Sequence, residues 1–233
     1  MAVAILQARM SSTRLPGKVM KPLLGRPMIE RQLERLNRCA TLDQIIVATS
    51  LDASDDPLAA HLQEIGINLF RGSLSDVLDR YLAATRAYSV EGQVVRLTAD
   101  CPLADPGLID DCVRLHANLG VDYVSNGRRR THPHGLDVEA FGLDALQAAA
   151  EEATDPYDRE HVTPFIYRHF ERFTSADLVQ LKDESHLRWT VDTAEDFAYV
   201  EQVYAALYDG NPGFTSDDVR ALPFAHYGPA ASP

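Results

Sequence analysis

The chain has 233 residues and 45% hydrophobic content, enough to bury the core of one large α/β domain, and none of its apolar runs reaches the roughly 18 residues a membrane span needs. Its net charge of −12 argues against broad binding to nucleic acid or an anionic membrane. Three cysteines (Cys39, Cys101, Cys112), without CxxC spacing, fit neither a disulfide framework nor structural zinc; with no export-type N-terminal pattern, the expected location is the cytoplasm.

In chain order, the apolar run at 2–7 reads as the first strand, and a helix follows at 27–38. Then come a strand at 44–49 ("QIIVAT"), a helix at 55–65, a strand at 67–70 and a helix at 75–89. A strand at 93–98 ("QVVRLT") leads to a helix at 106–119, and strands are expected at 121–124 and 136–141. Helices at 142–153 and 156–170, strands at 173–180 and 187–192, and a helix at 194–209 complete the pattern. Pro27, Pro106 and Pro156 suit first-turn positions, Asp105 and Asp155 suit N-caps, and Gly66 and Gly120 mark helix ends.

Strands separated by helices predict a mainly parallel sheet covered on both faces. The stretch near 125–141 breaks that rhythm and predicts an antiparallel excursion. A single domain over 1–224 with a tail at 225–233 is expected, since no repeat or linker interrupts the chain.

Charge is unevenly spread. Residues 9–38 hold eight Lys/Arg against Glu30 and Glu34, a local +6 that leaves −18 for the remainder. Arg31, Arg35 and Arg38 read as a solvated helix face on which Glu34 can pair. The segment "QARMSSTRLPGK" at 7–18 is different, because it places Arg9, Arg14 and Lys18 among small residues just after a strand. In open α/β sheets ligands bind beyond the carboxyl ends of strands, and such a loop suits a polyphosphate. The phosphate-loop pattern GxxxxGK[ST] fails, because Val19 follows Gly17-Lys18 and Ser12 takes the place of the first glycine. The GxGxxG pattern fails as well.

The stretch "QARMSSTRLPGKVMKPLLGRPMIERQLERL", with Arg9, Ser12, Arg14, Pro16 and Lys18 in an R-x-x-S-x-R-x-P-x-K pattern, resembles the cytidylyltransferases that activate acidic sugars. That family includes CMP-KDO synthetase and acylneuraminate cytidylyltransferase, and the chain looks closest to the branch named after spore-coat polysaccharide biosynthesis. "FRGSLSDVLDRY", "VVRLTADCPLADPGLID", "DYVSN", "HPHGLDVEAF", "DREHVTPFIY" and "WTVDTAEDF" extend the match in order along nearly the whole chain. The first loop, "MSSTRLPG", lacks the glycine-rich form of the acylneuraminate enzymes and is nearer the CMP-KDO version. The resemblance implies the nucleotide-diphospho-sugar transferase fold, a three-layer α/β/α sandwich with a mostly parallel mixed sheet. It also implies a homodimer as the common form of relatives, CTP and a small acceptor as substrates, and surface polysaccharide or glycoconjugate synthesis as the setting.

Nucleotidyl transfer must neutralise phosphate charge, align attacker and leaving group, and hold Mg²⁺. Arg9, Arg14 and Lys18 are the expected phosphate contacts, with Ala8 and Ser12 lining the same loop. Asp100 and Asp192 close the strands at 93–98 and 187–192, so both are expected near that loop as Mg²⁺ ligands, and the resemblance implies aspartates there too. Thr193 and Asp196 form a capping pair that leaves Asp192 free. By resemblance, Arg71, Ser73 and Arg80 are expected to contact the nucleotide, although Arg80 also suits a pair with Asp76 at i,i+4. For the acceptor the expected residues are His134, Asp137, Glu139, Arg159 and His161; Asp137 and Glu139 alternate onto one strand face. Two other readings use the same residues: a glycosyltransferase consuming a nucleotide sugar, and a non-catalytic nucleotide-binding protein. The first usually carries a D-x-D strand end where this chain has "TADCP"; the second leaves Lys18, Asp100 and Asp192 without a purpose.

Overall fold

A computed structural model gives the fold for residues 1–224; the expected tail at 225–233 lies outside the described residues. The chain runs β1 (Ala2–Gln7), β2 (Pro22–Leu23), β3 (Arg26–Pro27), α1 (Met28–Leu36), β4 (Gln44–Ser50), α2 (Asp56–Glu64), β5 (Asn68–Gly72) and α3 (Val77–Ala87). It continues β6 (Gln93–Thr98), α4 (Pro106–Leu119), β7 (Tyr123–Ser125), β8 (Glu139–Gly142), α5 (Leu143–Glu152), α6 (Pro156–His161) and α7 (Pro164–Arg168). It ends β9 (Ser175–Asp177), α8 (Ala194–Leu207) and α9 (Ser216–Arg220).

Seven strands form one sheet in the order β5-β4-β1-β6-β8-β7-β9. β1 lies between β4 and β6, parallel to both, and β8 alone runs antiparallel to its neighbours. The period of two along β1 divides the core. Ala4 and Leu6 face one layer with Val47, Val95 and helices α1, α2 and α4. Val3 and Ile5 face the other with Ile46, Ala48, Val94 and helices α3, α5 and α7. The result is the three-layer, mostly parallel mixed α/β fold, with the reversed strand at the excursion the sequence predicts. No helix among the described residues is long and apolar enough to cross a membrane.

Two expected elements come out differently. The helix expected at 156–170 breaks into α6 and α7 at Val162, whose φ of 74° and ψ of −57° are rare for a β-branched residue. Thr163 N–H closes this γ-turn onto the His161 carbonyl at 2.9 Å. Pro164 contributes to the break by lacking the N–H that would continue the helix, and it starts α7 afresh as its first residue.

The strand expected at 187–192 joins no sheet; it forms an isolated bridge between His134 and Arg188, and Val191 N–H donates to the Asp100 carbonyl at 2.8 Å. Its apolar residues Leu187, Trp189 and Val191 instead fill a third cluster with Leu23, Met28, Leu136 and the buried face of α8. The two segments approach so closely at Gly135 that a Cβ there would lie 2.4 Å from Thr190 N, and its φ of +100° also favours glycine. Asp192 is therefore aimed by side-chain packing, where sequence alone suggested a sheet position.

Candidate functional site

β1 and β6 are neighbours, so the loops leaving their carboxyl ends, 8–18 and 99–105, share one crevice. A cleft of about 330 Å³ there is lined by Gln7, Ala8, Arg9, Ser12, Thr13, Arg14, Lys18, Val19, Thr98, Ala99, Asp100, His161 and Asp192. Arg9, Arg14, Lys18, Asp100 and Asp192, drawn from three distant parts of the sequence, stand around it.

Lys18 is its pivot. It follows Gly17, whose φ of 69° turns the chain into a short 3₁₀ turn, and it is only 8% exposed. Its Nζ donates to the Val191 carbonyl at 2.6 Å and to Asp192 Oδ1 at 3.1 Å, and lies 3.5 Å from Asp100 Oδ2. Asp192 also pairs with Arg14 at 3.1 Å and Arg188 at 2.6 Å. Burial works to raise the Asp192 pKa, but Lys18, Arg188 and Arg14 outweigh it and hold the carboxyl below its ordinary range. The backbone before α8 is satisfied by the Thr193–Asp196 capping box, which leaves the Asp192 carboxylate to face the cations. Asp105, by contrast, caps α4 through Gly107 and Leu108.

Asp100 and Asp192 offer two hard carboxylates beside a cationic loop. Among the described residues no group of three or more His, Cys, Asp or Glu side chains could hold a metal ion. Such a donor set fits Mg²⁺, which takes one or two carboxylates and completes its octahedron with phosphate oxygens and water. It does not fit zinc, which wants three or four protein ligands.

A second cleft of about 490 Å³ is lined by Arg96, Thr98, Tyr123, Ser125, Gly127, Arg128, Arg130, Asp137, Glu139 and Tyr167. Thr98 lines both clefts, so they adjoin. Glu139 is the hub of the second: Arg96 pairs with it, Tyr123 Oη donates to it at 2.5 Å and Thr163 Oγ1 at 2.6 Å. Burial works to lower the Arg96 pKa, and Glu139 reverses this and raises it. Burial and Glu139 together push Tyr123 upward. Asp137 pairs with Arg130 and accepts from Gly135 N–H at 2.9 Å, while Arg128 pairs with Asp177 at 3.1 Å.

The expected acceptor residues divide. Asp137 and Glu139 line this second cleft, but His161 lines the first, its ring tilted at 49° against Tyr157 with centroids 4.3 Å apart. Arg159 lines neither: it grips Asp76 through a bidentate pair and the Ala150 carbonyl, tying α6 to α3 and α5. That pairing also removes Asp76 from Arg80, which donates to the Ser73 carbonyl instead. His134 lines neither cleft, and its backbone is bonded on both sides to Leu187 and Trp189. Arg71, Ser73 and Arg80 cluster at the carboxyl ends of β4 and β5, with Arg80 close enough to Arg9 to feel its charge. Arg71 is bonded to the Ser50 carbonyl and Asp56, and Ser73 Oγ accepts from Asp76 N–H.

Sequence reasoning overlooked Arg96, Tyr123 and Tyr167. The available signal was Arg96 itself, a charge set within the apolar strand "QVVRLT", which must be paired if it is buried.

Comparison with known proteins places this geometry in a family. Residues 3–210 match the family model described as Cytidylyltransferase. An uncharacterized protein of Methanocaldococcus jannaschii is 41% identical over 198 residues, covering 84% of this chain and 79% of the relative. The spore coat polysaccharide biosynthesis protein SpsF of Bacillus subtilis is 33% identical over 209 residues, 86% of this chain and 85% of that protein. The solved structure of a cytidylyltransferase from Leptospira borgpetersenii superposes with a TM-score of 0.90 at 31% identity, covering 100% of this chain and 99% of that one. The chain belongs to the cytidylyltransferase family.

Proposed function

We propose that the protein is a Mg²⁺-dependent cytidylyltransferase that transfers CMP from CTP to a small acceptor, a sugar or another acidic or phosphorylated compound, and releases pyrophosphate. The observation that carries this reading is the convergence of Asp100 and Asp192 on Lys18 beside Arg9 and Arg14. The kinship to a spore coat polysaccharide biosynthesis protein supports surface polysaccharide or glycoconjugate synthesis as the setting.

An acceptor oxygen, already ionised on a carboxylate or phosphate or giving its hydroxyl proton to solvent, attacks the α-phosphorus; the bond from that phosphorus to the α,β-bridging oxygen breaks, and pyrophosphate leaves with its electron pair. Arg9 and Arg14 hold the outer phosphates at the solvent side, where the Arg14 side chain is 62% exposed. Lys18, on the floor of the cleft, stabilises charge developing on the α-phosphate and the leaving group. Asp100 and Asp192 would hold Mg²⁺, which supplies neutralisation of phosphate charge. The adjoining cleft at Arg96, Glu139 and Tyr123 orients the acceptor, since Thr98 alone bridges the two spaces.

The test is a matrix of four nucleoside triphosphates against acidic sugars, sugar phosphates and other phosphorylated small molecules, read by pyrophosphate formation. The expected result is release with CTP and a restricted set of acceptors. Release of a free nucleoside diphosphate from a nucleotide sugar, with no pyrophosphate from any triphosphate, would replace this reading with a glycosyltransferase.

A further inference from the structure

Beneath the cationic loop lies a carboxylate that the chemistry above leaves unused. Asp55 ends a short 3₁₀ turn after β4 and is 0% exposed. Its Oδ1 accepts from Met10 N–H at 2.7 Å, and its Oδ2 accepts from Ser50 N–H at 3.1 Å and Ser50 Oγ at 2.5 Å. The Met10 carbonyl, on the following peptide, accepts from Ser12 N–H and Gly17 N–H, each at 2.9 Å. Met10 is thus the knot of the loop: one side is fixed to Asp55, and the other closes the segment that carries Arg14 and delivers the chain to Lys18.

Burying a carboxylate is costly unless donors and charge compensate for it. Three donors converge on Asp55, and Arg80, 1% exposed, stands close enough to it to interact electrostatically. An amide cannot replace this group. Its two oxygens face only donors, so an asparagine would turn its NH₂ toward at least one of them.

We propose that Asp55 is the positioning residue of the nucleotide cleft, a buried tether that fixes the Met10 peptide and so sets where Arg9, Arg14 and Lys18 stand around the triphosphate. The inference deepens the cytidylyltransferase reading and rests on it for the substrate named. A displacement of about 1 Å in such a loop is enough to cost on the order of 10²-fold in rate.

The test compares the full-length protein with Asp55→Asn. Trypsin cuts after Arg9, Arg14 and Lys18, so the tether predicts nicking within the loop on the order of 10-fold faster in the variant, with its circular dichroism unchanged. The KM for CTP is expected to rise by on the order of 10-fold while the KM for the acceptor stays put. A residue that served folding alone would reduce the active fraction and leave the KM for CTP where it was. Wild-type nicking and an unchanged KM for CTP in a folded variant would overturn the proposal. Hydrogen exchange on the unmodified protein keeps the question open to test if Asp55→Asn does not fold. Slow exchange of the Met10 amide supports the tether, and exchange at the rate of an open loop refutes it. The proteolysis and exchange arms need no turnover, so a chain inert toward CTP would sink the substrate reading and still leave the Asp55 tether to be decided.

Discussion

Lys18 and Asp192 are joined at two points: the Lys18 ammonium donates to the Asp192 carboxylate at 3.1 Å and to the carbonyl of the preceding Val191 at 2.6 Å. The backbone contact fixes the ammonium on the cleft floor, and the same group lies 3.5 Å from Asp100. Lys18→Ala is predicted to lower turnover by on the order of 10²-fold or more, as for loss of one preorganised electrostatic stabiliser. Pyrophosphate release under saturating CTP measures it, and a near-wild-type rate would remove Lys18 from the mechanism.

Glu139 compensates the Arg96 guanidinium and holds Tyr123 and Thr163 by hydrogen bonds. Removing it leaves a largely buried cation without its carboxylate. Glu139→Ala is expected to destabilise the fold by about 3–5 kcal/mol in denaturant unfolding. A loss below about 1 kcal/mol, the usual range for surface pairs, would mean that Arg96 finds another partner.

His161 is exposed and held against Tyr157 at the rim of the first cleft by the strained turn at Val162. Because the ring is exposed, His161→Ala should change stability by no more than about 0.5 kcal/mol. It should lower kcat/KM on the order of 10-fold, the size of one lost hydrogen bond to a charged group. Unchanged kinetics would leave the turn without a role in the reaction.

Glu184 anchors the segment after β9 by donating its N–H to the Thr131 carbonyl at 2.8 Å, beside the loop that carries Arg128 and Arg130. Burial works to raise its pKa, but bonds from Lys182, Arg220 and Gln180 prevail and bring it from 4.5 down to about 2. The folded value lies below the unfolded one. The stabilisation, on the order of 3 kcal/mol, is therefore complete above the unfolded pKa and lost as pH falls from there through about 2. Glu184→Gln should flatten the acid limb of stability in denaturant titrations across that window. An acid limb identical to wild type would show that other carboxylates carry it.

Much of this was legible in the chain because local rules agreed with the global fold. "AVAIL" alternates into two core layers, Asp105 and Asp155 cap the helices expected of them, and Asp100 follows a strand whose end must face the crevice. Asp192 reached the same crevice by another route, through packing of Leu187, Trp189 and Val191 under Gly135, a tertiary contact that no local period encodes. Arg159 and His134 stand outside both clefts. A charge beside a motif looks the same in sequence whether it faces a cleft or grips a neighbouring helix, and only the position of Asp76 across the fold decides. Asp55 stands in the run "LDASDD", where nothing local sets it apart from Asp52 and Asp56 until the short turn folds it under Met10.

The central claim is that Asp100 and Asp192 hold the metal that binds the triphosphate, and calorimetric titration of CTP with and without Mg²⁺ tests it most directly. For the wild-type protein Mg²⁺ is predicted to tighten CTP binding by on the order of 10-fold or more, and for the folded Asp100→Asn, Asp192→Asn double variant to have no such effect. An equal gain from Mg²⁺ in both proteins would contradict the account.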